Sequence, residues 1–260
     1  MEILKRFEEA VHNHLSLRSF PVAIKLLESG EDVVSGTGRP LRDLGQPIRP
    51  CEGWHLVRHS GVSVTMLEED FSTACPTGVF TFGLLEPVKQ WIDGDLSYGI
   101  YTGSRKAAQN MESHVFRLET GKYRGVTFTT PGKANFDPDL IMIFCNSNDA
   151  RKLTSAAAYA TGEPMRITMF ARNLCSEGVV QPFQNRCPVI AIPCGGDRRH
   201  GGTNDDEIVF TTPLGGAEVI MQGLENLRKI QRIQKLGDES EREQRYNTIA
   251  KVLDGKLGRN

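Results

Sequence analysis

The stretch "VIAIPCGGDRRHGG", Val189 to Gly202, decides how this chain is read. A β-branched apolar run stops at Pro193. Cys194 follows at once, then two glycines, an aspartate and two arginines. An apolar run without polar alternation is the pattern of a strand covered on both faces, so residues 188–192 are expected near the centre of a sheet. Gly195 and Gly196 permit a sharp turn or the close approach of backbone to a bound group. Ligand sites of α/β sheets gather beyond the carboxyl ends of strands, which is where Cys194 stands. The choice is between a small buried residue and a thiol presented for chemistry.

Outward from that stretch, the remaining apolar runs define an alternating pattern. "FPVAIKLL" (20–27), "VSVTML" (62–67), "GVTFTTPG" (125–132), "PDLIMIFC" (138–145), "MRITMFA" (165–171) and "DEIVFTTP" (206–213) read as strands. Residues 2–18 carry Ile3, Leu4, Phe7, Ala10, Val11 and Leu15 at helical spacing, and 215–233 do the same with Val219, Ile220, Leu224, Leu227 and Ile230. Helices are also expected over Cys51–His59, closed by Gly61, after Pro76, over 101–114, and over 146–162 with Gly162 as stop signal. Residues 30–50, rich in Gly, Pro and Arg, read as a loop. This alternation predicts an α/β or mixed α+β fold, with residues 1–233 as one domain. Residues 234–260 are expected as a charged C-terminal helix with Tyr246, Ile249, Val252 and Leu253 on one stripe.

The two halves echo each other. In the first, Cys51 opens a helical stretch, a strand follows, and Cys75-Pro-Thr-Gly comes after it. In the second, Cys175 lies in "RNLCSEGVV", a strand follows, and Cys194-Gly-Gly-Asp comes after it. Each half also begins with a Pro-led apolar strand, "PVAIKLL" and "PDLIMIF". The expectation is a diverged tandem repeat, residues 1–135 and 136–233, folded into one unit.

Composition excludes several classes. Hydrophobic residues make up 39% and charged residues 24%, the balance of a protein with a sizeable core. The net charge of −1 gives no basic excess for nucleic acid. No apolar run approaches the ~20 residues of a membrane span. The start, "MEILKRFEEA", lacks the basic-then-apolar layout of a signal peptide, so a cytoplasmic setting is expected. "GTGRPL" lacks the third glycine of a dinucleotide fingerprint, and there is no Walker lysine pattern. Six cysteines in a cytoplasmic chain point to metal binding or catalysis rather than disulfides.

The segments "VAIKLL", "RPCEG", "ACPTGVFTFGL", "PDLIMIF", "IPCGGDR" and "DEIVF" together resemble the ArCR family, domain of unknown function 169, common in archaea and anaerobic bacteria. The resemblance spans about residues 1–230 and is most specific at "PCGGDR" and "ACPTG". It implies one folded unit and an intracellular, often anaerobic setting, and supplies no reaction.

The chemistry is therefore argued from the cysteines. Cys75 precedes a helix start, where free amides and the helix dipole favour a thiolate. Cys51 has Arg49 two residues before it, and Arg198 follows Cys194 closely. One reading takes Cys51, Cys75 and Cys194, with Cys175 or Cys187, as ligands of an iron–sulfur cluster or another thiolate-bound metal, in a redox protein with a partner protein and a homo-oligomeric state. No CxxC occurs, so the ligands would be scattered over the fold. Arg49 and Arg198 are then expected beside the site. Cys51, His55 and His59 at four-residue spacing share a helix face, and the two histidines form an HxxxH pair that suits a metal. The alternative is a single activated Cys194, with the amides of Gly195 and Gly196 holding an anion and Asp197, Arg198 or His200 assisting. Cys145, inside "LIMIFC", reads as core.

Overall fold

Residues 2–235 and 241–256 are described in the computed structural model. Six strands, β1 (Val22–Glu28), β2 (Val64–Leu67), β3 (Tyr123–Thr129), β4 (Leu140–Cys145), β5 (Val189–Ala191) and β6 (Ile208–Pro213), pair in the order β2-β3-β1-β4-β6-β5. Every pairing is antiparallel. Helices pack on both faces, so the fold is mixed α+β rather than α/β.

The sheet is built from two halves of identical strand order. Counted outward from the centre, the strands are β1, β3, β2 on one side and β4, β6, β5 on the other. Each half puts its first strand in the middle, its third next and its second at the edge. The halves join through the antiparallel β1–β4 pair, with Ala23 opposite Ile141.

β4 explains why its sequence does not alternate. Leu140, Met142 and Phe144 enter the core on one face, while Ile141, Ile143 and Cys145 enter the core on the other. A strand covered on both sides has no polar face to show. The second face is roofed by the Glu2–His14 helix through Leu4, Phe7 and Val11, by Ser147–Ala158 through Ala150, Leu153 and Ala156, and by Ala217–Lys235 through Ile220 and Leu224. Cys145 lies on this side as a core residue, its thiol pushed up to about 12 chiefly by burial.

The first face carries the segments between the first and second strands of each half: the Pro50–Ser60 helix, and the π-helical turn Cys175–Val180 that runs on into Gln181–Asn185. Pro50 occupies the first turn, where a missing N–H costs nothing. The Arg49 N–H donates to Glu52 Oε2 at 2.8 Å, and Gly61 closes the helix at φ 63°. A glycine sets the depth of the Pro50–Ser60 helix on the sheet, and another makes room within the second segment. A Cβ at Gly53 would stand 2.8 Å from Met66 Sδ, and one at Gly178 would meet Leu174 Cδ1 at 2.7 Å and Met142 Cε at 3.6 Å.

Several sequence expectations are corrected. "MRITMFA" is not a strand: Ala171 turns to φ 57°, and the amides of Phe170 and Ala171 donate to the Glu177 carboxylate instead of to a neighbouring strand. The strand at 189–191 is an edge strand, not a central one; its apolar character comes from burial beneath helices on both faces. Residues 30–50 include a short helix, Pro40–Leu44. The helix beginning at Ala217 extends to Lys235, and a further helix spans Glu241–Lys256, with Ile249, Val252 and Leu253 exposed. The remainder of the expected 234–260 segment, residues 236–240 and 257–260, lies outside the described residues.

Two buried ion pairs tie the first half to the second, Arg172–Glu112 and Arg58–Glu207. The Arg58 guanidinium donates to Glu207 Oε1 at 2.7 Å, to Thr203 Oγ1 at 3.3 Å and to Ser19 Oγ at 3.1 Å, and lies 3.5 Å over the Phe144 ring. Removing one partner of such a pair strands a buried charge, which costs about 3–5 kcal/mol. Glu207→Ala is expected to lose that much in urea unfolding, and the double variant Arg58→Met/Glu207→Leu much less. A single variant within about 1 kcal/mol of the parent would remove the pair from this role.

Candidate functional site

Cys51 sits in the first turn of the Pro50–Ser60 helix and Cys175 opens the π-helical turn. Cys75 and Cys194 stand at the N-caps of two short helices, Pro76–Thr81 and Gly195–His200, one after the edge strand of each half. The four thiols therefore come as two topologically matched pairs. Three lie over the first face of the sheet: Cys51 and Cys175 belong to its core, with Cys194 packed against it. The Cys51 thiol points at the Gly196 carbonyl, 3.8 Å away. Pro50 and the Cys75 sulfur flank Gly78, where a Cβ would stand 3.0 Å from the proline ring and 3.5 Å from the sulfur.

The sulfurs share one electrostatic environment. Burial pushes the Cys175 thiol well up, and the neighbouring Cys75, Cys194 and Cys51 push it further. Cys51 is raised in the same way, by burial first, then by Asp197, Cys75 and Cys194. Cys75 and Cys194 are also raised by burial, but backbone amides oppose the rise: that of Gly78 at Cys75, and those of Leu174, Asp197 and Gly196 at Cys194. The Arg49 charge also lowers Cys75. Four neighbouring thiols thus stay protonated unless a cation replaces their protons.

Beside the thiols stands Asp197, fully buried. Its Oδ1 accepts from Trp54 Nε1 and its Oδ2 from Thr203 Oγ1, each at 2.7 Å. Burial raises its pKa, against the pull of those bonds and of Arg58. With both oxygens engaged, Asp197 is a strut that holds the Gly195–His200 helix to Trp54 of the Pro50–Ser60 helix. Trp54, Arg58, Thr203 and Glu207 complete this network. Sequence reasoning missed it, although a core tryptophan on a helix is itself a signal that its N–H has a partner.

Cys187 borders a separate cavity with Thr154, Met165 and Arg166, and burial alone raises its thiol. Arg198 turns away, donating to the Asn204 carbonyl at 2.7 Å beside Asp205. His55 Nδ1 pairs with the Gly201 carbonyl at 3.0 Å, and the His55 and His59 rings lie 4.6 Å apart. Gly195 and Gly196 leave open space over Cys194; a Cβ at Gly196 would meet only its sulfur, at 3.8 Å. The site lies over the sheet face rather than beyond parallel strand ends, because β2 and β5 occupy opposite edges of an antiparallel sheet. Among the described residues, no three His, Cys, Asp or Glu side chains close around a single metal ion.

The fold and site define a two-halved antiparallel α+β protein with a group of four thiols, Cys51 and Cys175 buried and Cys75 and Cys194 half-buried. The chain belongs to the family of domain of unknown function 169, described as uncharacterised ArCR, whose model matches residues 10–223. No curated protein and no solved structure matches it. Among the described residues, no helix is long and apolar enough to cross a membrane.

The raised thiols give a direct expectation. A thiol above its ordinary pKa holds less thiolate at neutral pH and alkylates slowly. In metal-free protein at pH 7.5, iodoacetamide is expected to modify Cys187 first and Cys51, Cys75, Cys175 and Cys194 many-fold more slowly, followed by mass spectrometry. Fastest labelling at Cys194 would instead mark it as an activated nucleophile.

Proposed function

We propose that this protein is a redox protein that binds an iron–sulfur cluster through Cys51, Cys75, Cys175 and Cys194. The observation that carries the reading is that four cysteines from four separate segments, two per half, lie close enough to share one electrostatic environment. Four soft thiol donors suit iron–sulfur or zinc and not a hard cation. Among the described residues no three such side chains close around a single ion, and a multi-iron cluster holds its sulfurs farther apart than one zinc does. The repeat itself is part of the proposal: each half supplies one helix-turn cysteine and one N-cap cysteine.

Such a cluster supplies one-electron transfer. The chain's own residues would hold and tune it. The amides of Gly78, Leu174, Gly196 and Asp197 face sulfurs and offset negative charge, which raises a reduction potential. Arg49 adds a positive charge on the Cys75 side. Trp54 and Val57 keep water from the Cys51 side. A cytoplasmic setting, a partner protein that exchanges electrons and a homo-oligomeric state accompany this reading. The alternative of a single Cys194 nucleophile has three backbone amides in its favour, but burial raises the thiol and the Asp197 carboxylate is already bonded to Trp54 and Thr203.

Protein produced without oxygen is expected to be brown and to hold iron and acid-labile sulfide in equal amounts, about four of each per chain. Cys75→Ala or Cys194→Ala should lose most of both while circular dichroism keeps the fold, and Cys187→Ala should retain them. Colourless protein after anaerobic reconstitution, or full iron content in Cys194→Ala, would overturn the proposal.

A further inference from the structure

A second site lies at the far end of the helix that begins near Cys51. Cys51 and Gly61 are ten residues apart, about 15 Å along a helix. There the loop over residues 36–44 arches beside the edge strand β2 and leaves a cavity of about 630 Å³. The loop is pinned to β2 by two backbone bonds, Gly38 N–H to the Ser63 carbonyl at 2.8 Å and Thr65 N–H to the Gly38 carbonyl at 2.9 Å. Such a volume falls within the roughly 300–1,000 Å³ of small-molecule sites.

The walls and charges select a class of ligand. Pro40, Leu44, Leu56, Val62 and Val64 form an apolar trough, and Leu44 and Val62 are largely exposed in it. Each other charge at the rim is already compensated. Arg39 donates to Asp70 and Glu69, with Nε–Oδ2 2.5 Å and Nη2–Oε1 2.6 Å. Asp43 accepts from Arg42 and from the Arg39 amide, which holds its carboxyl down at about 2, so it stays anionic and paired. Lys133 is the exception: its ammonium donates to the Gly61 carbonyl, and among the described residues no carboxylate lies within 4 Å of it. Lys133 also borders the neighbouring cavity, where Glu8 and Glu9 stand, but among the described residues neither carboxylate comes within 4 Å of its ammonium.

We infer that this trough binds an amphipathic small molecule bearing one anionic group. The apolar body lies along Leu44, Leu56 and Val62, and a carboxylate or sulfonate pairs with Lys133. One uncompensated cation at the end of an apolar trough is the arrangement that distinguishes such a ligand from a neutral one and from a polyanion. The inference does not depend on the thiol site.

Two fluorescent probes of the same shape separate the two contributions. 8-Anilinonaphthalene-1-sulfonate carries the anion, and N-phenyl-1-naphthylamine lacks it. Both are expected to saturate one site, the anionic probe more tightly, and decanoate should displace both. Lys133→Gln should weaken the sulfonate about tenfold and leave the neutral probe unchanged, while Lys133→Arg keeps both. Val62→Trp, which fills the trough from an exposed position, should weaken both. Equal sulfonate affinity in Lys133→Gln would overturn the role of the charge. Binding of both probes unchanged by Val62→Trp would overturn the site.

Discussion

The antiparallel pairing of β1 with β4 is the constraint on which the rest depends. It joins two sheets of the same strand order back to back, so the segments that cover them are related across the centre of one face. Every thiol on that face inherits its place from this junction. Cys51 and Cys175 ride on the segments that lead into the edge strands, and Cys75 and Cys194 cap the helices that leave them. Because β2 and β5 lie at opposite edges, loops from either end must cross the face to meet over its middle. The Asp197–Trp54 bond and the Arg58–Glu207 pair lock that crossing.

Burial of four thiols has an electrostatic cost that the protein bears without a compensating base. Desolvation raises each thiol, and backbone amides at Cys75 and Cys194, with Arg49 at Cys75, favour the thiolate. A cation in their midst reverses the balance, since deprotonation is then coupled to binding.

Much of this was legible in the sequence. The strands "PDLIMIFC" and "DEIVFTTP", the Gly61 stop and the parallel placement of Cys51–Cys75 and Cys175–Cys194 follow from local pattern. A finer signal was also present: Cys51-Glu-Gly and Cys175-Ser-Glu-Gly differ by one residue, and the second forms a π-helical turn, the form a one-residue insertion takes in a helix. The failures have physical causes. "MRITMFA" alternates like a strand, but its amides are satisfied by the Glu177 carboxylate, a partner that no period reveals. The apolar run at 189–191 comes from roofing by helices, which periodicity cannot separate from a central position. Arg198 is near Cys194 in sequence yet turns to Asn204, because a short helix points successive side chains in different directions.

Anomalous diffraction at the iron edge, on crystals grown without oxygen, tests the central claim most directly. The account predicts one compact iron peak enclosed by the sulfurs of Cys51, Cys75, Cys175 and Cys194, one pair from each half. Iron at His55 and His59, iron beside Cys187, or no iron between the four sulfurs would contradict it.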